Sequence, residues 1–365
     1  MTPTYRVPLT PRPAAAALLL GLPLVLACAD SGTGAGQPLR FGPDGTFTVV
    51  QFTDTQDDQD IDPRTVQLIE AVLDDRQPDL VVFTGDNVRS GPQTADDVWA
   101  AIANIAEPVE SRGIPWLISF GNHDQDHAGD TGIDEVAMLE RYMSYPNNIN
   151  RPSDEGVHGT GNMQVLIYGS RSDEPVFNVW ALDAGRYASD TIGGQAIDDD
   201  GLPGWDWIRH SQVHWYFETS KALEARYGGV IPSLMFFHIP LWEHRFMWDR
   251  RENHNVVGER NESVSSGPFN SGLFAVMLER GDVLGVFVGH DHINDYAGDY
   301  FGIQLGFSAN TGFGTYGLDG SETDRLRGAR VFVIREDDPD HFETHMVYAR
   351  DYGIGAIAIS NDHSP

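Results

Sequence analysis

The stretch Thr-Phe-Thr-Val-Val-Gln-Phe-Thr-Asp-Thr-Gln, residues 46–56, is an apolar run that ends at a potential metal ligand, Asp54. Four later segments repeat this arrangement: LVVFTGDN (80–87), WLISFGNHD (116–124), SLMFFHIP (233–240) and VLGVFVGHDH (283–292). Nearly continuous apolar runs are typical of strands buried on both faces. Together the five segments supply Asp, Asp, Asn, His and a His-x-His pair, which are enough donors for a site that holds two metal ions.

Strands and helices alternate outward from these segments. The strand-like runs are Thr46–Phe52, Leu80–Thr84, Trp116–Phe120, Val176–Leu182, Ser233–Phe237 and Val283–Val288. Helical patterns begin at Asp62-Pro63 and recur over residues 95–110, 135–144, 212–225 and 272–280. This alternation predicts an α/β domain with a largely parallel central sheet. Functional groups in such sheets lie at the carboxyl ends of the strands, so we expect the five segments to meet at one edge.

The C-terminal third has a different pattern. Phe301–Phe307 and Ala329–Ile334 are strand-like, and His345–Ala349 offers one more strand. We expect these strands to form a second sheet packed on the first, within one domain that covers residues 41–355. A Gly-rich loop, Thr311–Gly320, joins two of them. It does not open a helix after a strand, so it is interpreted as a turn-rich connection near the site and not as a phosphate-binding loop.

The composition restricts the classes of partner. The 365 residues carry 24 basic and 54 acidic side chains, a formal net charge of −30, and Lys221 is the single lysine. An acidic surface of this size argues against binding of duplex nucleic acid or of an anionic membrane face. It also repels anionic substrates at long range. Any phosphate chemistry therefore requires a site that is locally positive.

The N-terminus has the pattern of an export signal. Arg6 and Arg12 precede an apolar run, Ala14–Ala27, that is too short to span a membrane. The run ends at Cys28, the only cysteine, in a context that resembles a bacterial lipoprotein cleavage box. We expect residues 1–27 to be a lipoprotein signal peptide, a lipidated Cys28 to anchor the protein to a membrane of the cell envelope, and residues 28–40 to be a flexible tether. An ordinary cleaved signal and a secreted or periplasmic soluble protein are the alternative.

Phosphoryl transfer to water explains why such donors would be gathered. The reaction needs a nucleophile at neutral pH and positive charge against the phosphoryl oxygens, and two metal ions about 3.5–4 Å apart supply both. The pair needs a bridging carboxylate, together with neutral imidazole and amide ligands that preserve its positive charge. Two aspartates contribute a charge of −2 against +4 from two divalent ions. The remaining charge attracts an anionic ester even within an acidic protein.

The ordered set Asp54, Asp86, Asn122-His123-Asp124, His238 and His290-x-His292 resembles the calcineurin-like metallophosphoesterase superfamily. Further stretches, Gly204–Ile208 with Ser211-Gln212, and Asn270–Gly272, resemble its purple-acid-phosphatase-related branch. The resemblance runs from about Thr46 to at least Arg330. It implies a four-layer αββα sandwich in which two mixed β-sheets are flanked by helices.

The resemblance also implies a role for each residue. Asp86 would bridge the two metals; Asp54 and His292 would bind the first metal; Asn122, His238 and His290 would bind the second. His123 would stabilise the phosphoryl oxygens and protonate the leaving alkoxide while a metal-bound hydroxide attacks phosphorus. Asp124 would orient His123 through a hydrogen bond, as a carboxylate does for a catalytic imidazole. The metals could be Fe, Mn, Zn or Mg, because this set of donors accepts several.

Two positions depart from the family pattern. The first motif usually reads Asp-x-His, but Gln56 stands at the histidine position, and its amide oxygen is a weaker ligand than imidazole. Gln56 could bind the first metal directly or reach it only through water. Purple acid phosphatases carry a tyrosine ligand three residues after the Gly-Asp aspartate, where this chain has Arg89. We therefore expect a protein without strong ferric-phenolate colour.

The sequence thus predicts an exported, metal-dependent phosphohydrolase that acts on a small phosphate ester, with phosphomonoesters favoured. A phosphodiesterase acting on nucleotides or lipid headgroups is the alternative within enzymes, and a metal-poor scaffold of the same fold is the alternative outside them. Asn87 and Arg89, which follow the bridging aspartate, are candidates to contact the phosphate. Asp57 and Asp58 are expected to face solvent, and His127 is expected in a surface loop.

Overall fold

The computed structural model describes residues 38–197 and 201–355. In these residues the strands are β1 (Thr46–Phe52), β2 (Leu80–Thr84), β3 (Trp116–Ser119), β4 (Met163–Tyr168), β5 (Pro175–Ala181), β6 (Thr191–Ile192), β7 (Gln195–Ala196), β8 (Ser233–Phe236), β9 (Val283–Val288), β10 (Ala297–Tyr300), β11 (Ile303–Phe307), β12 (Gly328–Arg335) and β13 (Phe342–Tyr348). The helices are α1 (Pro63–Arg76), α2 (Ala95–Glu110), α3 (Ala128–Thr131), α4 (Glu135–Met143), α5 (His210–Tyr227), α6 (Trp242–Asp249) and α7 (Leu273–Arg280).

Eleven of these strands form two mixed sheets. One sheet has five strands in the order β13-β12-β1-β2-β3, and the other has six in the order β10-β11-β9-β8-β5-β4. Strands β1, β2 and β3 pair in parallel, whereas β12 pairs antiparallel with both β1 and β13. In the second sheet β5, β8, β9 and β11 run parallel, and β4 and β10 are antiparallel edges. Each sheet therefore contains a run of adjacent parallel strands, which brings the carboxyl ends of those strands together.

Alternating side chains of each central strand pack in different hydrophobic cores, because successive residues of a strand point to opposite faces. In β2, Val81 and Phe83 pack with α1, α2 and α4, while Leu80 and Val82 pack between the two sheets. In β8, Met235 packs in a third core with α5, α6 and α7. The layers are therefore helix, sheet, sheet and helix. The predicted αββα sandwich is confirmed.

Local sequence sets the beginnings of the first two helices. The Asp62 side chain accepts a hydrogen bond from the Arg64 N–H, and Pro63 occupies the first turn of α1, where its missing N–H costs nothing. Thr94 and Asp97 form a capping box at the start of α2. Each helix begins directly after a segment that carries a candidate ligand. The caps therefore fix where the chain leaves the site.

The expected strands are present; β1, β2 and β9 have the expected bounds, and the ends of the others differ by up to three residues. The expectation for the C-terminal strands was wrong in part. Strand β11 does belong to the second sheet, but β12 and β13 extend the first sheet beside β1. Strand β4, with its alternating burial, and the short helix α6 were not predicted. The pairing of β12 with β1 depends on contacts between residues far apart in sequence, which local patterns do not encode.

The expected signal peptide and Cys28 lie outside the described residues. Leu39 is buried, and its carbonyl accepts a hydrogen bond from the Tyr168 N–H, so the last residues assigned to the tether are part of the folded domain. Within the described ranges, no helix is both long enough and apolar enough to cross a bilayer.

Candidate metal centre

The six expected metal ligands lie where strands of both sheets end. Asp54, Asp86 and Asn122 follow β1, β2 and β3 of the first sheet. His238 follows β8, and His290 and His292 follow β9 of the second sheet. All six side chains are buried. The two sheets thus contribute three donors each to one buried cluster.

The acidic and histidine donors form two groups that share one residue. Asp86, His238 and His290 place one donor atom each within 4.8 Å of one another, and so do Asp54, Asp86 and His292. Asp86 is common to both groups, so its two carboxylate oxygens could serve two cations at once. This arrangement is the one that a dinuclear site with a bridging carboxylate requires.

Several donor atoms of the cluster are buried without a hydrogen-bond partner. They are Asp86 Oδ2, Asn122 Oδ1, His238 Nε2 and His290 Nε2. A buried polar atom with no partner costs about 1–3 kcal/mol, so four such atoms in one place call for a missing partner. All four are atoms that bind metals. The residues therefore fit the metal pair that the ligand pattern predicts.

The tautomer of His238 is fixed by the backbone. Its Nδ1 donates to the Thr84 carbonyl oxygen at 2.8 Å, which leaves Nε2 with a lone pair when the ring is neutral. That Nε2 lies 3.2 Å from Asp86 Oδ2 and 3.8 Å from Asp54 Oδ1. When the ring is neutral, two electron-pair donors, Nε2 and Oδ2, face each other with no proton between them. A cation between them removes the conflict, and the backbone hydrogen bond is the kind of support that orients metal-binding imidazoles.

The electrostatics of the cluster also favour a cation. Burial opposes a charge on His238, but the carboxylates of Asp86 and Asp54 outweigh it and raise the pKa of His238 to about 10. Burial likewise opposes ionisation of Asp86, yet the charge of His238 holds the pKa of Asp86 below its usual value. The carboxylates of Asp54 and Asp86 therefore favour a positive charge beside them. Burial, assisted by the charge of His238, lowers the pKa of His290 to about 3, which keeps this imidazole in the neutral form that binds metals.

The backbone of the site adopts conformations that ordinary residues avoid. Asp54, Gln56, Asp86 and His290 have positive φ angles of 50°, 35°, 50° and 73°. Non-glycine residues in the left-handed region cost of order 1–3 kcal/mol each, and such strain concentrates at functional sites. Each turn re-aims a side chain toward the cluster immediately after a strand ends. The surrounding sheets supply the stability that holds these turns.

Glycines beside the ligands allow the turns to approach each other. A Cβ on Gly85, which has a φ of 87°, would lie 2.7 Å from the Gly121 nitrogen and 2.8 Å from His238 Cγ. A Cβ on Gly121 would collide with the backbone nitrogen and the carboxylate of Asp86. The glycine that precedes Asp86 and the one that precedes Asn122 are therefore required by close packing of the two turns.

His123 lies at the edge of the cluster, and its partner is Asp126, which the sequence pattern did not indicate. Its Nδ1 is 2.5 Å from Asp126 Oδ2, and the other oxygen of Asp126 accepts from Arg186 Nη2 at 2.9 Å. Tyr187 OH lies 3.2 Å from the same Nδ1. The His123 side chain is 35% exposed, whereas the metal-binding candidates are buried. Asp126 therefore fixes Nδ1 and leaves Nε2 available to a substrate.

The prediction that Asp124 orients His123 is wrong. Asp124 is buried, and its carboxylate accepts hydrogen bonds from the backbone N–H groups of Asn87, Val88 and Gly121 at 2.7–3.0 Å. It thereby ties the turn after β3 to the turn after β2. Burial and the negative charge of Asp86 raise the pKa of Asp124 to about 7. The carboxylate is a structural support of the two ligand turns.

The two residues expected to contact phosphate have other partners. Asn87 is buried, and its Nδ2 donates to the Ser119 carbonyl oxygen at 3.4 Å. Arg89 donates through Nε and Nη2 to Asp58 Oδ2 at 2.9 and 2.6 Å, and through Nη1 to the Gly314 carbonyl oxygen. The Asn87 amide nitrogen and the Arg89 guanidinium thus have partners within the protein, whereas Asn87 Oδ1 has none, and contact of these two residues with phosphate stays a prediction. The charge of Arg89 is used within the protein.

Three further expectations from the same region also need correction. Asp57 and Asp58 were expected to face solvent, but both are buried. Asp57 accepts from the backbone N–H groups of Asp58 and Asp62, so it organises the turn that leads into α1. His127 was expected in a surface loop, but it too is buried and its Nδ1 lies 3.0 Å from Thr131 Oγ1. Runs of acidic residues predict exposure only when no backbone donors converge on them.

Aromatic rings border the histidines of the site. Trp205 packs edge-on against His290, with ring centroids 4.5 Å apart, and Tyr316 stacks on His292 at 4.1 Å. Tyr187 is 6.2 Å from His123. The Gly-Trp segment at residues 204–205 was noted in the sequence, but no local pattern singled out Tyr187 or Tyr316. Both come from loops whose position depends on the assembled fold.

Comparison with known proteins gives consistent matches. The family model described as calcineurin-like phosphoesterase matches residues 47–294. The chain is 32% identical over 348 residues to probable inactive purple acid phosphatase 29 of Arabidopsis thaliana, covering 87% of this chain and 84% of that protein. It is 32% identical over 241 residues to phosphatase DCR2 of Saccharomyces cerevisiae, covering 64% and 39%. The solved structure of GAP50, the anchor in the inner membrane complex of Plasmodium, superposes with a TM-score of 0.52 at 11% identity, covering 85% of this chain and 86% of that one, and so shares the fold.

Proposed function

Because the chain belongs to the calcineurin-like phosphoesterase family, in its purple-acid-phosphatase-related branch, we propose that it is a dinuclear phosphomonoesterase of the cell envelope. Its family makes it a phosphoric ester hydrolase. The observation that carries the proposal is the pair of three-donor groups joined at Asp86, with their unpartnered donor atoms.

The chain offers a distinct set of residues to each metal. Asp54, His292 and the shared Asp86 would hold the first ion, and Asp86, His238, His290 and Asn122 would hold the second. The amide nitrogen of Asn122 faces Tyr187 OH at 3.5 Å, which leaves its oxygen for the metal. A bound pair of ions supplies positive charge to the phosphoryl oxygens and makes water a stronger nucleophile. The identity of the ions, Fe, Mn, Zn or Mg, is open because these donors suit several.

A side chain of the protein can donate the proton that the leaving group needs. His123 presents Nε2 to the substrate, since Asp126 holds Nδ1. In the protonated form this imidazole can donate to the ester oxygen as the bond to phosphorus breaks. Asp126 in turn is held by Arg186, whose Nε also donates to the Asn122 carbonyl oxygen at 3.1 Å. One arginine therefore connects the proton donor to a metal-binding turn.

A phosphomonoester is favoured over a diester by the relatives, which carry the word phosphatase in their names. The Arabidopsis relative is also called probably inactive. That description belongs to that protein. In this chain the acidic and histidine donors form two groups that share Asp86, so an active enzyme is favoured over a scaffold of the same fold. A phosphodiesterase is the second candidate, because His123 and Tyr187, at the edge of the cluster, are both partly exposed.

Activity against paired substrates tests the proposal. The protein is loaded separately with Mn, Zn, Fe and Mg, and turnover of nitrophenyl phosphate is compared with that of bis-nitrophenyl phosphate. A monoesterase turns over the first ester faster with at least one metal. Faster turnover of the diester would replace the proposal by a phosphodiesterase. No turnover with any metal, together with less than one ion bound per chain, would indicate a metal-poor scaffold protein of the same fold.

The location in the cell is proposed from the N-terminal sequence alone. Residues 1–27 have the features of a signal peptide, and a lipidated Cys28 would anchor the domain to a membrane. Expression of the full chain in a bacterial host, followed by fractionation and mass measurement of the mature protein, tests this. A Cys28→Ser variant should lose membrane association. An unmodified soluble protein from the wild-type gene would instead indicate simple secretion.

A further inference from the structure

One hydroxyl group lies between Gln56 and His292. Thr315 Oγ1 is 2.6 Å from Gln56 Oε1 and 3.2 Å from His292 Nδ1. A threonine hydroxyl carries one proton, and an amide oxygen can only accept. The Thr315 proton is therefore committed to Gln56. The Thr315 oxygen is left to accept from His292, which places a proton on Nδ1 of that ring.

The direction of this relay decides what the other ring nitrogen can do. With Nδ1 protonated, the neutral ring of His292 keeps its lone pair on Nε2, which lies 3.4 Å from Asp54 Oδ1. A cation can be shared by these two atoms. If Thr315 instead donated to Nδ1, the proton of the neutral ring would be on Nε2 and would block the cation. The first direction is the one compatible with the metal group Asp54, Asp86 and His292.

The loop that carries Thr315 is held in place. Arg327, which is buried, donates to the carbonyl oxygens of Gly312 and Thr315, the latter at 2.7 Å. Tyr316, the next residue, stacks on the His292 ring with an interplanar angle of 11°. Its hydroxyl donates to Glu262 Oε2 at 2.9 Å. The Gly-rich loop thus fixes both the plane of His292, through Tyr316, and its tautomer, through Thr315.

We infer that Gln56 serves the first metal as a positioning residue that acts through Thr315 and His292, in place of the imidazole ligand that an Asp-x-His motif would supply at this position. This inference rests on the proposed dinuclear site. With this arrangement the first metal site needs no histidine at position 56. Gln56 contributes an oxygen that sets the proton on its neighbour, and His292 supplies the bond to the metal.

Zinc titration of four variants tests the relay without an activity assay. The variants are Thr315→Val, Thr315→Ser, Gln56→Met and the double variant with Val and Met. The calorimetric phase that belongs to the first metal is identified as the one altered by Asp54→Asn. Partners that orient a metal-binding imidazole typically account for about 10- to 100-fold in affinity, so each single variant except Thr315→Ser should weaken first-site binding about tenfold or more.

The double variant separates the relay from direct ligation. If Gln56 acts through Thr315, the double variant should bind zinc no more weakly than the weaker single variant, because both changes break one chain of hydrogen bonds. If Gln56 is itself a ligand, Gln56→Met should cost more than Thr315→Val, and the two losses should multiply. That result would overturn the inference. Binding at the second metal should stay unchanged throughout, which guards against general misfolding.

The tautomer of His292 gives a second readout in the metal-free protein. Nitrogen-15 spectra at pH 8, with the His292 signal assigned from its loss in His292→Gln, should show the proton on Nδ1 in the wild type and in Thr315→Ser. Thr315→Val should shift the proton toward Nε2. A proton on Nε2 in the wild type, or one that stays on Nδ1 in Thr315→Val, would refute the relay. Absence of zinc binding by the wild type at either position would instead refute the dinuclear site.

Discussion

Replacing Asp126 by asparagine should impair the hydrolysis of some esters far more than others. Asp126 holds the Nδ1 atom of His123 at 2.5 Å, and a hydrogen bond to a charged group contributes about 1.5–3 kcal/mol. At about 1.36 kcal/mol for each tenfold change in rate, loss of this bond corresponds to a kcat about 10- to 150-fold lower when His123 must donate a proton. An alkyl phosphate, whose alkoxide leaves poorly, needs that proton. A nitrophenyl phosphate, whose phenolate leaves readily, does not.

The assay compares kcat for the two esters in the wild type and in Asp126→Asn, with the metal content of each preparation measured. The expected result is a large loss for the alkyl ester and a small one for the aryl ester. Asp124→Asn is the matched control, since Asp124 is even closer to His123 in sequence but bonds only to backbone N–H groups near the site. The reasoning fails if Asp126→Asn slows both esters equally, or if Asp124→Asn shows the selective loss.

Three other outcomes follow from the geometry. Asp86→Asn should lower the metal content from about two ions per chain to less than one by elemental analysis, and two retained ions would remove Asp86 as the bridge. Gly121→Ala should lower metal content because its Cβ collides with Asp86, whereas Gly229→Ala, whose Cβ meets open space, should not; equal metal content in both would contradict the packing argument. Burial lowers the pKa of His244 to about 3, against about 6.5 in an unfolded chain, so below pH 6.5 the unfolded state binds the extra proton and stability falls. Between pH 7.5 and 5 this residue should remove about 2 kcal/mol from the free energy of urea unfolding of the metal-free protein, and His244→Phe should make the fall correspondingly smaller; an unchanged fall would mean that His244 is not the group responsible.

The parts of the fold that could be predicted are those encoded in short segments. Apolar runs such as Leu80–Thr84 and Val283–Val288 match strands β2 and β9 residue for residue, because burial on both faces leaves a continuous signal. The convergence of the six donors could also be anticipated. Parallel strands of one sheet end on the same side, so the donors that follow strands of the same sheet meet there whatever lies between them in sequence. The division of the six donors between two sheets was not predicted.

The parts that could not be predicted depend on turns and on distant pairing. Asp124 and Asp126 are both acidic and both near His123, and only the conformation of the intervening turn gives the hydrogen bond to Asp126. Thr315 lies 259 positions from Gln56, in a loop with no strand or helix signal of its own. Its location follows from Arg327 and from the pairing of β12 with β1. Such contacts exist only after the sheets have assembled.

The division of the donors between two sheets has a consequence for the newly made polypeptide. Three donors follow strands of one sheet and three follow strands of the other, and the strand that lies beside β1, Gly328–Arg335, is among the last to be synthesised. Neither sheet carries all six donors by itself. Metal ions that need all of these donors would therefore bind only after the two sheets have docked, and once bound they would hold the two sheets together.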